Sequence, residues 1–202
     1  MTEVRMPTQK RAIEKRSKII EKGFELMCEK GFHNVTSIDI ANYSGVSTGI
    51  IYQYFNDKYD IFIEGARDYA EVIMYPIVDI LKEENLNDNV DNILNSILDK
   101  CVDRHKKYIK SHEELDAMSH QYEELEELLN NLDIETTNKV IEFLKDKGYD
   151  LSNYFEKIHI MLNVIDNYCH EIVYHKHREV HYDIMKKEII NIIKYILKES
   201  SN

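Results

Sequence analysis

TSIDIANYSGVSTGIIYQYFNDK, residues Thr36 to Lys58, reads as two short helices joined by a tight turn. Thr36 and Asp39 have the spacing of a capping box, in which a threonine hydroxyl accepts from the third-position amide and the acid reaches back. The first helix is expected over roughly residues 37–43, with Ile38, Ile40 and Ala41 as its apolar positions. Gly45 stands where the chain must turn sharply, and a residue without Cβ takes a positive φ at least cost. Val46 is placed to plug the angle between the helices. Ser47 or Thr48 caps the second helix, expected over roughly residues 48–55. Ile51 and Phe55, four apart, face inward, while Thr48, Gly49, Tyr52 and Gln53 fall largely outward.

Small Ala41, the turn glycine, Val46 and then Ile51 make this a helix-turn-helix pattern. Helices this short are not stable alone and need a supporting helix. Residues 9–30 supply one: Ala12, Ile13, Ile20, Phe24 and Met27 recur at helical spacing, and Gly31 is the expected left-handed stop. Such an arrangement leaves the second helix of the motif free to enter a major groove, where base edges can be read.

The run IIEKGFELMCEKGFHNVTSIDIANYSGVSTGIIYQYFNDKYDIF resembles the DNA-binding domain of the TetR family of bacterial transcriptional repressors. The likeness is carried by Gly31-Phe32, Thr36, Ile40-Ala41, Gly45-Val46-Ser47, Gly49, Tyr52, Tyr54-Phe55 and Lys58. It implies that Thr36 and Tyr52 hydrogen-bond phosphates, that Lys58 adds charge at the DNA backbone, and that the amides opening the second motif helix face another phosphate. Ser37, Ser47 and Gly49, near the two helix starts, complete the backbone-facing set. Base readout falls to Thr48, Ile50, Gln53 and Tyr54. Gln pairs in a bidentate way with adenine, and an isoleucine touches a thymine methyl. Two positions depart from the family: threonine is frequent where Ile50 stands, and a basic residue or proline where Thr48 stands. With no Lys or Arg on that helix, A·T-rich operators and a basic N-terminal arm are expected to matter more.

The net charge of −11 opposes DNA binding until it is divided along the chain. Residues 1–60 carry a balance of +1 and the remainder −12. Arg5, Lys10, Arg11, Lys15, Arg16 and Lys18 face only Glu3 and Glu14 in the first twenty residues. An acidic body would turn the basic end toward phosphates. Cys28, Cys101 and Cys169 are odd in number and far apart, which fits a reducing cytosol better than a disulfide framework. No long uncharged apolar run and no signal-peptide core is present, so a cytoplasmic protein is expected.

Two prolines and six glycines in 202 residues favour long helices, and no segment reads as a run of strands. An all-α fold of about nine helices is expected: a three-helix head over residues 1–57, then an effector-binding and dimerisation body over 58–202. Residues 1–8 are expected to form an arm. A helix from Lys58 is kinked or ended by Pro76, 77–84 resumes, and 85–89 is a polar break. Further helices are expected from Asp88 (boxed by Asp91) to Lys110, from Ser111 (capped with Glu114) to Ser119, from Tyr122 to Lys147, from Asn153 to His177, and from Asp183 to Lys198. The last two are apolar around more of their circumference than one packed face needs, which is about 100°. Ile158, Met161, Ile165, Ile172, Ile189, Ile192, Ile193 and Ile196 are therefore the candidate homodimer surface, as the family resemblance also implies.

By the same resemblance the body encloses a small-molecule pocket, for which Tyr69, Met74, Tyr75, Cys101, His105, Tyr108, His112, Met118, His120, Tyr122, Met161 and Tyr168 are the candidates. Each of these alone is equally at home in ordinary core packing. His170 and His175 resemble a zinc-protease motif with one residue too many, which sets them about 140° apart on a helix. No metal site is therefore assigned, no cofactor is required, and haem or metal sensing is a minority alternative. No nucleophile–base pair and no glycine-rich phosphate loop stands in the chain, so an enzyme is not expected. The expected function is a repressor that binds a pseudo-palindromic operator as a homodimer and is released by a small molecule. The alternative is an effector-independent architectural or cell-division factor on the same scaffold.

Overall fold

The structure, a computed structural model, describes residues 9–74, 76–84, 89–149 and 154–198, with the side chains of 71–74, 76 and 198 excepted. Ten α-helices and one 3-10 turn, with no strands, are found among the described residues. They are α1 (Lys10–Lys30), the turn Phe32–Asn34, α2 (Ser37–Ser44), α3 (Thr48–Tyr54), α4 (Lys58–Met74), α5 (Pro76–Glu83), α6 (Val90–Lys107), α7 (Ile109–Ser119), α8 (Glu123–Asp146), α9 (Phe155–Val173) and α10 (Tyr182–Lys198). The all-α expectation holds, and Pro76 starts a helix of its own at a first-turn position where its missing N–H costs nothing.

Contacts divide the chain into two compact units, Met1–Ala70 with Lys110–Leu129, and Glu71–Ile109 with Asn130–Asn202. This cut differs from the expected boundary at residues 57/58. The first turns of α4 belong to the head because Ile61, Phe62 and Ala66 are fully buried there.

The first unit is built around α1. Ile19, Phe24 and Met27 are buried, together with Ile40 of α2, Ile51 and Phe55 at α3, and Ile61 and Phe62 of α4. Phe62 packs on Phe24 at 5.3 Å between centroids and on Phe32 at 5.2 Å. Gly65 lets α4 approach α1 closely: a Cβ there would stand 2.6 Å from the Phe24 Cγ. In this unit α7 and the start of α8 close over Phe32 and Tyr59, with Tyr122 stacked on Tyr59 at 4.6 Å. Glu114 Oε1 accepts from the Phe32 amide at 2.5 Å. Glu114 is thus not the capping partner of Ser111, and α7 starts two residues before that serine.

The second unit has its core on α6, α9 and α10, with Leu98, Ile158, Cys169 and Ile193 at its most buried positions. Asn89, not Asp88, caps α6, its side chain accepting from the Asp91 amide at 2.8 Å. Asp88, the arm 1–8 and Asn153 lie outside the described residues. The α8 helix runs through Asn130 and Asn131 without interruption, and α9 ends at Val173, well short of His177.

Candidate nucleic-acid interface

The capping box at the start of α2 is present in full. Thr36 Oγ1 accepts from the Asp39 amide at 3.2 Å, and Asp39 Oδ2 accepts from the Thr36 amide at 2.9 Å. The Thr36 hydroxyl also donates to Asp39 Oδ2 at 2.5 Å, so its proton is already used inside the motif. These hydrogen bonds hold the Asp39 carboxyl below its ordinary value. Gly45 has φ 72° and ψ 36°, the left-handed conformation expected of it. The Val46 amide returns to the Ala41 carbonyl at 2.9 Å, and the Gly45 amide to the Asn42 carbonyl at 3.2 Å. That pair of bonds is a Schellman closure, and it fixes the angle at which α3 leaves α2.

Ile51, Tyr54 and Phe55 hold α3 against the head, at 0%, 6% and 1% exposure. Ile51 and Phe55 were expected there; Tyr54 was expected to read bases. An inward stripe on a helix takes positions i, i+3 and i+4, so Tyr54 completes it and cannot reach a groove from the core. The outward face is Ser47, Gly49, Tyr52 and Gln53, all exposed, with Thr48 and Ile50 half-buried at its borders, and Ser37, which opens α2, is half-buried as well. Tyr52 is 56% exposed, which places it on the surface instead of against α1. Ser47 is the N-cap residue of α3, but its hydroxyl makes no cap hydrogen bond.

Lys58, expected at the DNA backbone, and Arg16, counted in the basic end, both make bonds within the fold. Lys58 Nζ donates to the carbonyls of Phe32 at 2.6 Å and Val35 at 2.8 Å, and stands 4.3 Å from the centre of the Phe32 ring. Burial pulls its pKa below the ordinary lysine value. The expected phosphate-facing lysine thus ties the α1–α2 junction to the start of α4. Arg16 pairs with Glu64 and lies 4.9 Å over the Phe55 ring. Both sites depend on partners distant in sequence, which local reading does not supply. Tyr43, 44% exposed with Lys22 5.6 Å from its ring, is a surface pair on the head that the sequence reading passed over.

The candidate effector residues fall into both units. Tyr69, His112, Met118, His120 and Tyr122 belong to the first; there Met118 is buried and His120 exposed beside Asp116. Cys101, His105, Tyr108, Met161 and Tyr168 belong to the second. Tyr75 lies outside the described residues, as does the side chain of Met74. Burial pushes the Cys101 thiol and the Tyr168 hydroxyl up to about 12, so both stay protonated at neutral pH. Of the candidate dimer residues, Ile158, Ile165, Ile189 and Ile193 are buried inside this chain's own second unit and have no free face to offer a partner. Their helices must fill the gap between α6 and each other before any partner arrives. Met161, Ile172 and Ile196 are half-buried, and Ile192 is 46% exposed.

Residues 19–64 match the model of the family "bacterial regulatory proteins, tetR family". The HTH-type transcriptional regulator HbdR of Aromatoleum sp. (strain CIB) is 48% identical over 48 residues, which are 24% of this chain. That match spans about a fifth of HbdR, 21% of its length. A protein from Mesorhizobium loti MAFF303099 described as a TetR-family transcriptional regulator has the same fold, with a TM-score of 0.68 at 14% identity, over 94% of this chain and 98% of that one. So does a transcriptional regulator from Saccharomonospora viridis, solved in complex with choline, with a TM-score of 0.61 at 20% identity, over 91% of this chain and 97% of that one. Residues 19–64 thus carry the DNA-binding motif of the TetR family of bacterial regulatory proteins, and the chain shares the fold of these solved regulators along its length.

Proposed function

We propose that the protein is a transcriptional repressor that binds a pseudo-palindromic operator as a homodimer and leaves it when a small molecule binds the body. The outward face of α3 carries the DNA part of this reading: Ser47, Gly49, Tyr52 and Gln53 are exposed together while three neighbours lock the helix in place. A rigid helix with a polar outer face is what a major groove accepts. Gln53 is the base reader, suited to adenine, and Tyr52 holds a phosphate. The absence of Lys and Arg from α3 favours A·T-rich half-sites. The Saccharomonospora regulator, solved in complex with choline, supports a small organic effector, since a chain of this fold takes one.

Selection of bound sequences from random duplex DNA with the full chain tests the reading. The expected result is an inverted repeat with A·T-rich halves. Gln53→Ala should then relax preference at one position per half-site, at a cost of about 1–3 kcal/mol. Tyr52→Phe should weaken all sequences alike. Enrichment of no sequence would sink the proposal, and enrichment of G·C-rich halves would remove its base-reading part. Retention on the operator through a panel of organic cations, acids and aromatics would remove its effector part.

A further inference from the structure

Three electron-pair donors from two helices converge in the second unit. His105 of α6 places its Nε2 3.2 Å from Asp166 Oδ1, and His170 of α9 places its Nε2 3.4 Å from Asp166 Oδ2. One ligand atom from each residue lies within 4.8 Å of the other two. Asp166 and His170 are four apart on α9 and so share a face. The His105 and His170 rings meet edge to face at 5.6 Å, and Tyr174 packs against both, at 6.5 and 5.3 Å.

The orientation of His105 is the informative detail. Its Nδ1 lies 2.9 Å from the Cys101 carbonyl, an acceptor, so the ring proton sits on Nδ1. In the neutral ring Nε2 then presents a lone pair toward Asp166 Oδ1, where a proton or a metal ion can bridge the two. A backbone carbonyl fixing Nδ1–H and presenting Nε2 is the arrangement that orients histidines toward metals. Ligand bonds of about 2.1 Å put tetrahedral donors about 3.4 Å apart, so donors within 4.8 Å of one another need only a small side-chain adjustment to close on one ion. The converging ligand atoms are imidazole and carboxylate, with no cysteine sulfur among them.

We propose that His105, Asp166 and His170 form a binding site for a divalent transition-metal ion of the zinc type, tying α6 to α9. Imidazole and carboxylate donors select such ions over calcium or magnesium. Asp166 is 57% exposed, so the site opens to solvent and keeps a coordination position for water or an exogenous donor. The site stands independently of the DNA reading.

Full-length protein stripped with chelator and titrated with Zn²⁺ alone tests this, with Co²⁺ as a spectroscopic reporter. Binding of one ion per chain is expected, with visible cobalt bands and no thiolate charge-transfer band. Asp166→Asn and His170→Gln, both on the more exposed side of the cluster, should each weaken Zn²⁺ by at least about tenfold. Their folding is checked by circular dichroism, and Zn²⁺ should raise Tm in the parent but not in either variant. The double variant His175→Gln/His181→Gln removes two exposed imidazoles outside the cluster and should bind as the parent does. Failure of the parent to take up Zn²⁺ overturns the proposal. So does unchanged affinity in both cluster variants, or loss of binding in the double variant.

Discussion

Gly65 shows how one missing Cβ positions a helix. The α4 backbone passes so close to Phe24 that an added methyl would stand 2.6 Å from the ring's Cγ. Alanine is the better helix former by about 1 kcal/mol, so propensity alone predicts that Gly65→Ala stabilises. Overpacking a filled core costs about 1–3 kcal/mol, and Phe24 is itself held between Phe62 and Tyr69 at 5.3 and 5.6 Å. A Cβ this close meets the ring's root and not a flexible tip, so the clash should win, and urea denaturation of Gly65→Ala should show a net loss of up to about 2 kcal/mol. An unchanged or higher midpoint would mean that α1 and α4 slide apart freely. Residues of this kind were invisible in the sequence. Gly65 sits in an ordinary helical pattern, and only the fold shows what crosses it. Tyr54 and Lys58 were misplaced for a related reason. Each resembled a surface group by chemistry or by family position, but one completes an inward stripe and the other reaches two carbonyls more than twenty residues back.

At the scale of elements, what is local was legible. The start of α2, the Gly45 turn and the inward positions Ile51 and Phe55 follow from residues within one turn of each other. The cap expected from Ser111 and Glu114 failed because Glu114 finds the Phe32 amide, 82 positions away, inside the same unit. The capping box itself makes a pH prediction. Hydrogen bonds from Thr36 hold the Asp39 carboxyl below its ordinary value in the folded chain. A depressed carboxylate contributes stability in full above its unfolded value, about 3.9, and loses it as pH falls through the folded value. Asp39→Ala should thus lie below the parent in urea midpoint at pH 7. The gap should narrow as pH falls below about 4, down to the lowest pH at which the chain stays folded. A gap that stays constant with pH would show that packing, not the charged box, starts α2.

At the scale of the whole molecule, the proposed homodimer rests on what the second unit leaves outside. Ile158, Ile165, Ile189 and Ile193 were candidates for the partner surface, and the chain spends them on its own core. Periodicity shows that two faces of a helix are apolar, but it does not say which one the monomer consumes. The remaining face of α10 carries Ile184, Ile192 and Tyr195 at 57%, 46% and 63% exposure. On a helix of 100° per residue these three fall within about 80° of one another, so they share one face, with exposed Glu188 in the same sector. Exposed apolar residues are ordinary one by one; a stripe of large ones marks an interaction surface. Burying an isoleucine is worth about 1.5–3 kcal/mol, and two-fold symmetry counts each residue twice. Replacing Ile192 and Tyr195 together by glutamate should therefore give a folded monomer by sedimentation and weaken operator binding, while Ile193→Glu should unfold the second unit. A double variant that remains a dimer would move the interface off this stripe, and a parent chain that sediments as a monomer would remove the homodimer from the proposed function.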